Sequence, residues 1–239
     1  MARLRLFCFP CAGGGPSTFY TWPNELPSDI EIIAIQLPGV ERRVMESPIE
    51  SISEVVRRLL PEIYSELDKP FAFFGHSLGA LVSFELTHEL QKRHGLQPIR
   101  LFVAGKRAPQ ILNWNPPIHD LPDTDFLEKL QSRYGGIPEQ ILGTPDVVQL
   151  FLPGLKASLK MDESYRYKRG QPLLCDITAF CGYQDNTAPK ADMESWSHQT
   201  KRSFTLHMIP GNHFFINSNQ EQLLHILSDE LIGILSRLG

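Results

Sequence analysis

No run of apolar residues in this chain approaches the ~18 needed to cross a bilayer, so no membrane-spanning helix and no membrane partner are expected. A strong charge bias is also missing, since 23 Lys and Arg stand against 27 Asp and Glu for a net charge of −4. That near balance gives none of the basic footprint that nucleic-acid binding requires. Cysteine is sparse. Cys8 and Cys11 are separated by two residues and Cys175 and Cys181 by five, and no nearby His or Cys completes a zinc pattern. No metal site is expected, and the four cysteines read as reduced, buried or half-buried thiols of a cytoplasmic protein. The opening MARLRLFCFP has no long apolar h-region, so no signal peptide is expected. Internal repeats and low-complexity segments are absent too.

What is present fits one α/β domain over residues 1–239, with 42% hydrophobic and 21% charged residues and enough length to bury a substantial core. Short apolar runs (LRLFCF, IEIIAIQ, FAFF, RLFVAG, LLCDITAF and FTLHMI) alternate with helical segments. The alternation predicts a mostly parallel central sheet flanked by helices on both faces. Ser51 with Glu54, and Ser218 with Glu221, form candidate capping boxes. Leu224, Leu227, Leu231, Ile234 and Leu238 recur at spacing 3 or 4, which predicts a closing amphipathic helix. Over residues 109–170 strand-like runs stop, and Pro116, Pro117, Pro122, Pro138, Pro145 and Pro153 divide short helical pieces such as DTDFLEKLQSR. A helical insertion is expected there, either a lid over a site at the sheet edge or an extension of the core.

Within FFGHSLGAL, Gly75 and Gly79 bracket Ser77 in a G-x-S-x-G spacing. Phe71 to Phe74 form an apolar strand-like run before it, and Val82, Leu86 and Leu90 continue at helical spacing after it, with Arg93, His94 and Gly95 as the helix end. Strand, sharp turn and helix are the context of a nucleophile elbow. A serine hydroxyl becomes nucleophilic only with a base, and the base needs a carboxylate to set its tautomer. Of eight histidines, His213 in IPGNHFF follows a strand and a Pro-Gly-Asn turn. His76, beside the nucleophile, is expected to point away from it; His88 and His94 belong to the helix after it; His119 falls in the insertion, His198 in a polar stretch, His207 within a strand and His225 on the last helix. Asp185 in FCGYQDNTAP is the candidate acid, placed in a loop past a strand, whereas Asp176 lies within that strand and Asp192 further along. Backbone N–H groups of Leu78, after the nucleophile, and Ala12, in FPCAGGG, are the candidate oxyanion donors. Gly13, Gly14 and Gly15 lack the Lys-Ser/Thr that a phosphate-binding loop would carry.

Together LFCFPCAGGG, Trp22, IQLPGVERR, FFGHSLGAL, LPDTDFLEKL, GYQDNTAP and PGNHFF cover nearly the whole chain, and in this order they resemble the stand-alone type II thioesterases of polyketide and nonribosomal peptide synthesis. The resemblance implies an α/β-hydrolase fold with a mobile helical lid. It implies hydrolysis of acyl thioesters on the phosphopantetheine arms of acyl or peptidyl carrier proteins, in an editing role, with no bound cofactor because phosphopantetheine arrives with the substrate. It carries the nucleophile to Ser77, the acid to Asp185, the base to His213 and the oxyanion donors to Ala12 and Leu78. One departure follows LFLPGL, where the family often has Arg-Ala-Asp and this chain has Lys156, Ala157 and Ser158, which puts an insertion-anchoring ion pair in question. A general carboxylesterase shares the elbow, base and acid, and a carrier-binding protein with little turnover is a further alternative.

Overall fold

The computed structural model describes residues 2–112, 115–137 and 142–238. Strands β1 (Leu4–Phe9) and β2 (Ile30–Ala34) are followed by α1 (Ile52–Ser65), β3 (Phe71–His76), α2 (Leu78–His94) and β4 (Arg100–Ala104). Helices α3 (Asp123–Tyr134) and α4 (Pro145–Ser164) intervene before β5 (Asp176–Gly182), α5 (Lys190–Glu194) and β6 (Phe204–Ile209), and α6 (Phe215–Ser218) and α7 (Gln220–Leu238) close the chain. The six strands form one sheet in the order β2-β1-β3-β4-β5-β6, and every pairing is parallel.

Period-two alternation divides the strands between two apolar layers. Phe7, Phe9, Phe71 and Phe73 face α1 and α2, whereas Leu6, Cys8, Ala72, Phe74 and Phe102 face α7 together with Phe19 and Trp22. Burial on both faces explains why these strands read as continuous apolar runs. The last helix buries Leu223, Leu224, Leu227, Leu231, Ile234 and Leu235, but Leu238, its last residue, is exposed.

Two local expectations change. Ser51 Oγ accepts the Glu54 N–H at 3.3 Å, but the Glu54 carboxylate turns to Arg57 and Arg58 rather than back to Ser51. Ser218 caps nothing of the last helix, because the chain after His213 first folds into α6 and Ser218 ends it. LLCDITAF becomes strand at Asp176, so that carboxylate lies in β5 as expected, at its first residue. There it pairs at 3.1 Å with the buried Arg100 on β4, which also engages Thr178 and Glu230.

The order of the strands sets the location of the site. After β1 the chain moves outward to β2, then returns to place β3 on the other side of β1, so the sheet has its topological switch between β1 and β3. Phe9 lies opposite Gly75 in the register, which brings the loop after β1 beside the turn after β3. Contact is close enough that a Cβ on Gly79 would sit 2.1 Å from the Phe9 carbonyl oxygen, and one on Gly75 would sit 2.4 Å from the Gly79 carbonyl oxygen. Both obstacles are backbone atoms that cannot rotate away. Gly79→Ala is therefore expected to cost about 2 kcal/mol or more by denaturant midpoint. In Gly233, within α7, a Cβ meets nothing within 4 Å, and Gly233→Ala is expected to stabilise by about 0.5–1 kcal/mol.

Candidate active site

Ser77 joins β3 to α2 with φ 54° and ψ −117°, a left-handed conformation shared among described non-glycine residues only with Glu41. Such a backbone costs of order 1–3 kcal/mol and persists only where surroundings impose it. Here the Ser77 N–H donates to the Ala104 carbonyl at 2.8 Å and its own carbonyl accepts the Ala80 N–H at 3.0 Å. The turn lifts the hydroxyl above the C-terminal edge of the sheet.

His213 lies in the loop between β6 and α6, and Asp185 in the loop after β5. Tyr183 N–H donates to the Ile209 carbonyl at 2.9 Å, and Gln184 N–H to that of Gly211 at 2.9 Å, so the two loops are stitched together. His213 Nε2 is 3.0 Å from Ser77 Oγ, and His213 Nδ1 is 2.9 Å from Asp185 Oδ2. All three side chains are buried. The three residues expected from sequence are thus brought into one hydrogen-bonded line, with the chain order Ser, Asp, His.

Thr187 was not anticipated. Its hydroxyl donates to Asp185 Oδ1 at 2.6 Å and lies 3.0 Å from His213 Nδ1, while its N–H reaches the same Asp185 oxygen at 2.9 Å. The only sequence signal was an aspartate followed two residues later by threonine, the spacing of an Asx turn. Burial by itself would raise the Asp185 pKa, but the bonds from His213 and Thr187 outweigh it and hold the carboxyl below its ordinary value. Arg107 supports this loop from behind, donating to the Thr187 carbonyl at 2.6 Å and lying 3.9 Å from Asp192. Asp192 is thereby a partner of Arg107, and Asp176 lies at the far end of its strand.

His76 does not point into solvent or towards the nucleophile, as expected, but its ring has a definite task. Its Nε2 is 3.0 Å from the backbone carbonyl of His213, so that nitrogen carries the proton and donates, fixing the backbone under the candidate base. Neither proximity in sequence nor residue type signalled this contact. Among the others, His207 stacks on Phe180 and lies 3.4 Å from Glu230, His94 stacks on Tyr64, and His119 binds Glu163 at 2.6 Å. Tyr134, also unanticipated, sits with its ring 5.2 Å from that of His213. Its phenol is pushed up to about 12 by burial and by the Asp162 charge.

A cavity of about 440 Å³ opens beside Ser77 and His213, and both Ala12 and Leu78 line it. Leu78 is the first residue of α2, where N–H groups have no intrahelical acceptor. The far wall comes from the segment between β4 and β5, through Leu130 of α3 and Val147, Leu150, Phe151 and Leu155 of α4. That segment has its own small apolar centre around Phe126, Leu130, Leu152 and Leu159. Of its prolines, Pro138 lies outside the described residues. Lys156 reaches Asp123 at 2.7 Å and the Leu121 carbonyl at 2.8 Å, a pair that joins two parts of the segment to each other, while Ser158 bonds back to the Gly154 carbonyl. Cys8, Cys175 and Cys181 are buried and Cys11 is half-buried, all as free thiols. Among the described residues no group of three or more His, Cys, Asp and Glu is disposed to hold a metal, and no helix is long and apolar enough to cross a membrane.

The thioesterase domain family matches residues 4–231. The chain belongs to that family. It is 41% identical to the gramicidin S biosynthesis protein GrsT of Aneurinibacillus migulanus over 98% of this chain and 91% of that protein. It is 34% identical to the thioesterase PikA5 of Streptomyces venezuelae, covering 97% and 82%. Among solved structures, the RedJ thioesterase of the prodiginine pathway in Streptomyces coelicolor superimposes with a TM-score of 0.89 at 34% identity, covering 96% of this chain and 91% of that one. ClbQ of the colibactin pathway gives 0.92 at 26% identity over the whole of both chains. The thioesterase fold is that of the α/β hydrolases, and the enzyme is a serine thioester hydrolase.

Two outcomes test this geometry. Thr187→Val should lower kcat/KM for a thioester about tenfold, with Thr187→Ser close to wild type, because one charge-assisted hydrogen bond to Asp185 is lost and then restored. Burial pushes the His76 imidazole down to about 3, so it is neutral in the folded enzyme while an unfolded histidine binds a proton near its ordinary value of 6.5. The stability held by neutral His76 is therefore complete above about pH 6.5 and is lost as pH falls towards 3, with a slope approaching about 1.4 kcal/mol per unit. His76→Asn should flatten the fall in denaturant midpoint between pH 6.5 and pH 4. An unchanged slope would show that His76 protonates freely in the fold.

Proposed function

We propose that this thioesterase hydrolyses acyl thioesters carried on the phosphopantetheine arms of acyl or peptidyl carrier proteins, in the cytoplasm, clearing stalled or misprimed groups from a polyketide or nonribosomal peptide synthase. The observation that carries the reading is the unbroken Ser77–His213–Asp185 line at the edge of a cavity walled by apolar side chains of α3 and α4. Its relatives in gramicidin S, prodiginine and colibactin biosynthesis support the assignment to carrier-bound substrates.

In the proposed reaction His213 Nε2 accepts the Ser77 hydroxyl proton as Oγ attacks the thioester carbonyl. Asp185 fixes the proton on Nδ1 and stabilises the imidazolium that forms. Negative charge on the tetrahedral intermediate is met by the N–H groups of Leu78 and Ala12. Collapse breaks the C–S bond, and the proton on Nε2 passes to the departing thiolate. Water, deprotonated by the same nitrogen, then attacks the acyl-enzyme, and the carboxylic acid leaves with Ser77 restored. The proposed chemistry draws on no bound metal or cofactor, and phosphopantetheine enters as part of the substrate. The segment over residues 109–170 acts as a lid whose α3 and α4 shield the acyl group from water.

A decisive comparison places one acyl group on a carrier protein, a short thiol and an oxygen ester. The carrier substrate should show the highest kcat/KM, because contacts remote from the carbonyl position the thioester. Equal efficiency on all three would replace this reading with a general carboxylesterase. In the same assay Ser77→Ala should abolish acyl-enzyme formation by intact-protein mass spectrometry, and Asp185→Asn should retain binding while losing most of the rate.

A further inference from the structure

Only two described residues other than glycine have a left-handed backbone, and both border the cavity beside the triad. One is Ser77, the proposed nucleophile. The other is Glu41, with φ 45°, in the loop between β2 and α1. A turn that needed only this conformation would be met at lower cost by glycine or asparagine, so the backbone does not explain a glutamate there. The side chain does. Its carboxylate accepts the Ser17 hydroxyl at 2.5 Å and lies 3.3 and 3.4 Å from the Ser17 N–H nitrogen, whereas the carboxylate of nearby Glu46 goes to Arg43.

Ser17 lies in the segment that leaves β1 and carries Ala12. Within that segment the Gly14 N–H donates to the Cys11 carbonyl at 3.0 Å, and the Thr18 N–H to that of Gly15 at 3.1 Å. Among the described residues, the hydrogen bonds that tie residues 11–18 to another segment all go to Glu41. Contact is direct at Gly15 as well, where a Cβ would lie 2.5 Å from the Glu41 carboxyl carbon. Glu41 is itself held in a closed turn: the Gly39 N–H donates to the Arg43 carbonyl at 2.9 Å, the Arg43 N–H to that of Val40 at 2.9 Å, and Gln36 Nε2 to the same Val40 carbonyl at 2.9 Å. Helix α4 presses on this turn from another side, because a Cβ on Gly154 would sit 2.0 Å from the Gly39 carbonyl oxygen.

We propose that Glu41 is a positioning residue for the oxyanion site: its carboxylate, carried on a strained turn, fixes the loop from Cys11 to Ser17 so that the Ala12 N–H faces the carbonyl oxygen of the thioester under attack. That loop has three consecutive glycines at 13–15, with φ 69° at Gly13, and few bonds of its own. A donor on such a segment stabilises the transition state only if it is held in place before charge develops. Glu41 supplies that order through Ser17 and Gly15, not by contact with the reacting atoms. The inference rests on the serine acyl-enzyme reading above and adds what holds one of its two oxyanion donors.

The test compares a thioether analogue of the substrate, which binds without reacting, with an alkyl trifluoromethyl ketone. Ser77 Oγ adds to the ketone carbonyl, its proton passes to His213, and the hemiketal oxyanion takes the place of the oxygen in the tetrahedral intermediate. Glu41→Ala should lower kcat/KM about tenfold and weaken the ketone equally, less than the roughly 10²–10³ of losing a donor outright, with thioether binding within about twofold of wild type. Glu41→Gly, which relieves the backbone strain as it removes the carboxylate, should lose the same factor, and Glu41→Gln, which keeps an acceptor for Ser17, should recover most of it. Ser17→Ala, at an exposed residue, should lose about threefold and add nothing to Glu41→Ala in the double variant. Full activity in Glu41→Gly would mean that the turn needs only its conformation, and would overturn the proposal. So would equal weakening of ketone and thioether, or a loss confined to acyl groups that carry an amine, which would make Glu41 a substrate contact. Where a Glu41 variant fails to fold, Ser17→Ala carries the test, and unchanged kcat/KM there overturns the proposal. If the ketone adds to Ser77 in wild type and binds Glu41→Ala as tightly, this inference falls and the acyl-enzyme reading stands. If it forms no Ser77 adduct in wild type, both fall.

Discussion

The close approach of the β1 and β3 strand ends is the constraint on which the site depends. Only because Gly79 has no side chain can α2 begin against the Phe9 carbonyl, and only then does the backbone at Ser77 take its left-handed turn. That turn presents the hydroxyl to the crevice at the switch point of the sheet, where the loop carrying Ala12 is already waiting. Local strain at Ser77 is offset by the surrounding parallel ladder and by two buried apolar layers. The cost is concentrated at the one residue that must be both fixed and exposed to substrate.

The other half of the site is a matter of holding an imidazole still in a low-dielectric setting. His213 is fixed from three directions: Asp185 and Thr187 at Nδ1, and His76 at its backbone carbonyl. A buried carboxylate with no donors would protonate; here several donors keep Asp185 ionised. Keeping His76 neutral serves the same end, because a second cation beside His213 would oppose formation of the imidazolium. The dependence runs from packing to charge, since burial depresses the His76 pKa and thereby leaves its Nε2–H as a neutral hydrogen-bond donor.

Much of this was legible in the residues. Strand runs at β1, β3, β4 and β6 stand where the apolar alternation put them, and the elbow, acid and base follow from short spacings next to those strands. Errors arose where a local signal competed with a tertiary partner. Ser218 had the right spacing for a cap, yet the turn after His213 used that residue to end a helix instead. His76 and Tyr134 gave no sign of their roles because their contacts join segments far apart in the chain.

By itself the sequence determined the α/β class, the position of the nucleophilic turn and the candidate triad, since each rests on interactions within a few residues: side-chain periodicity, glycine spacing and loop chemistry after a strand. Tertiary structure alone decided that Thr187 shares the acid and base, that His76 braces the base from beneath, and that an apolar cavity opens beside Ser77. These depend on which loops the parallel sheet brings side by side at its C-terminal edge. Distances across that edge are set by strand order and register, not by separation along the chain.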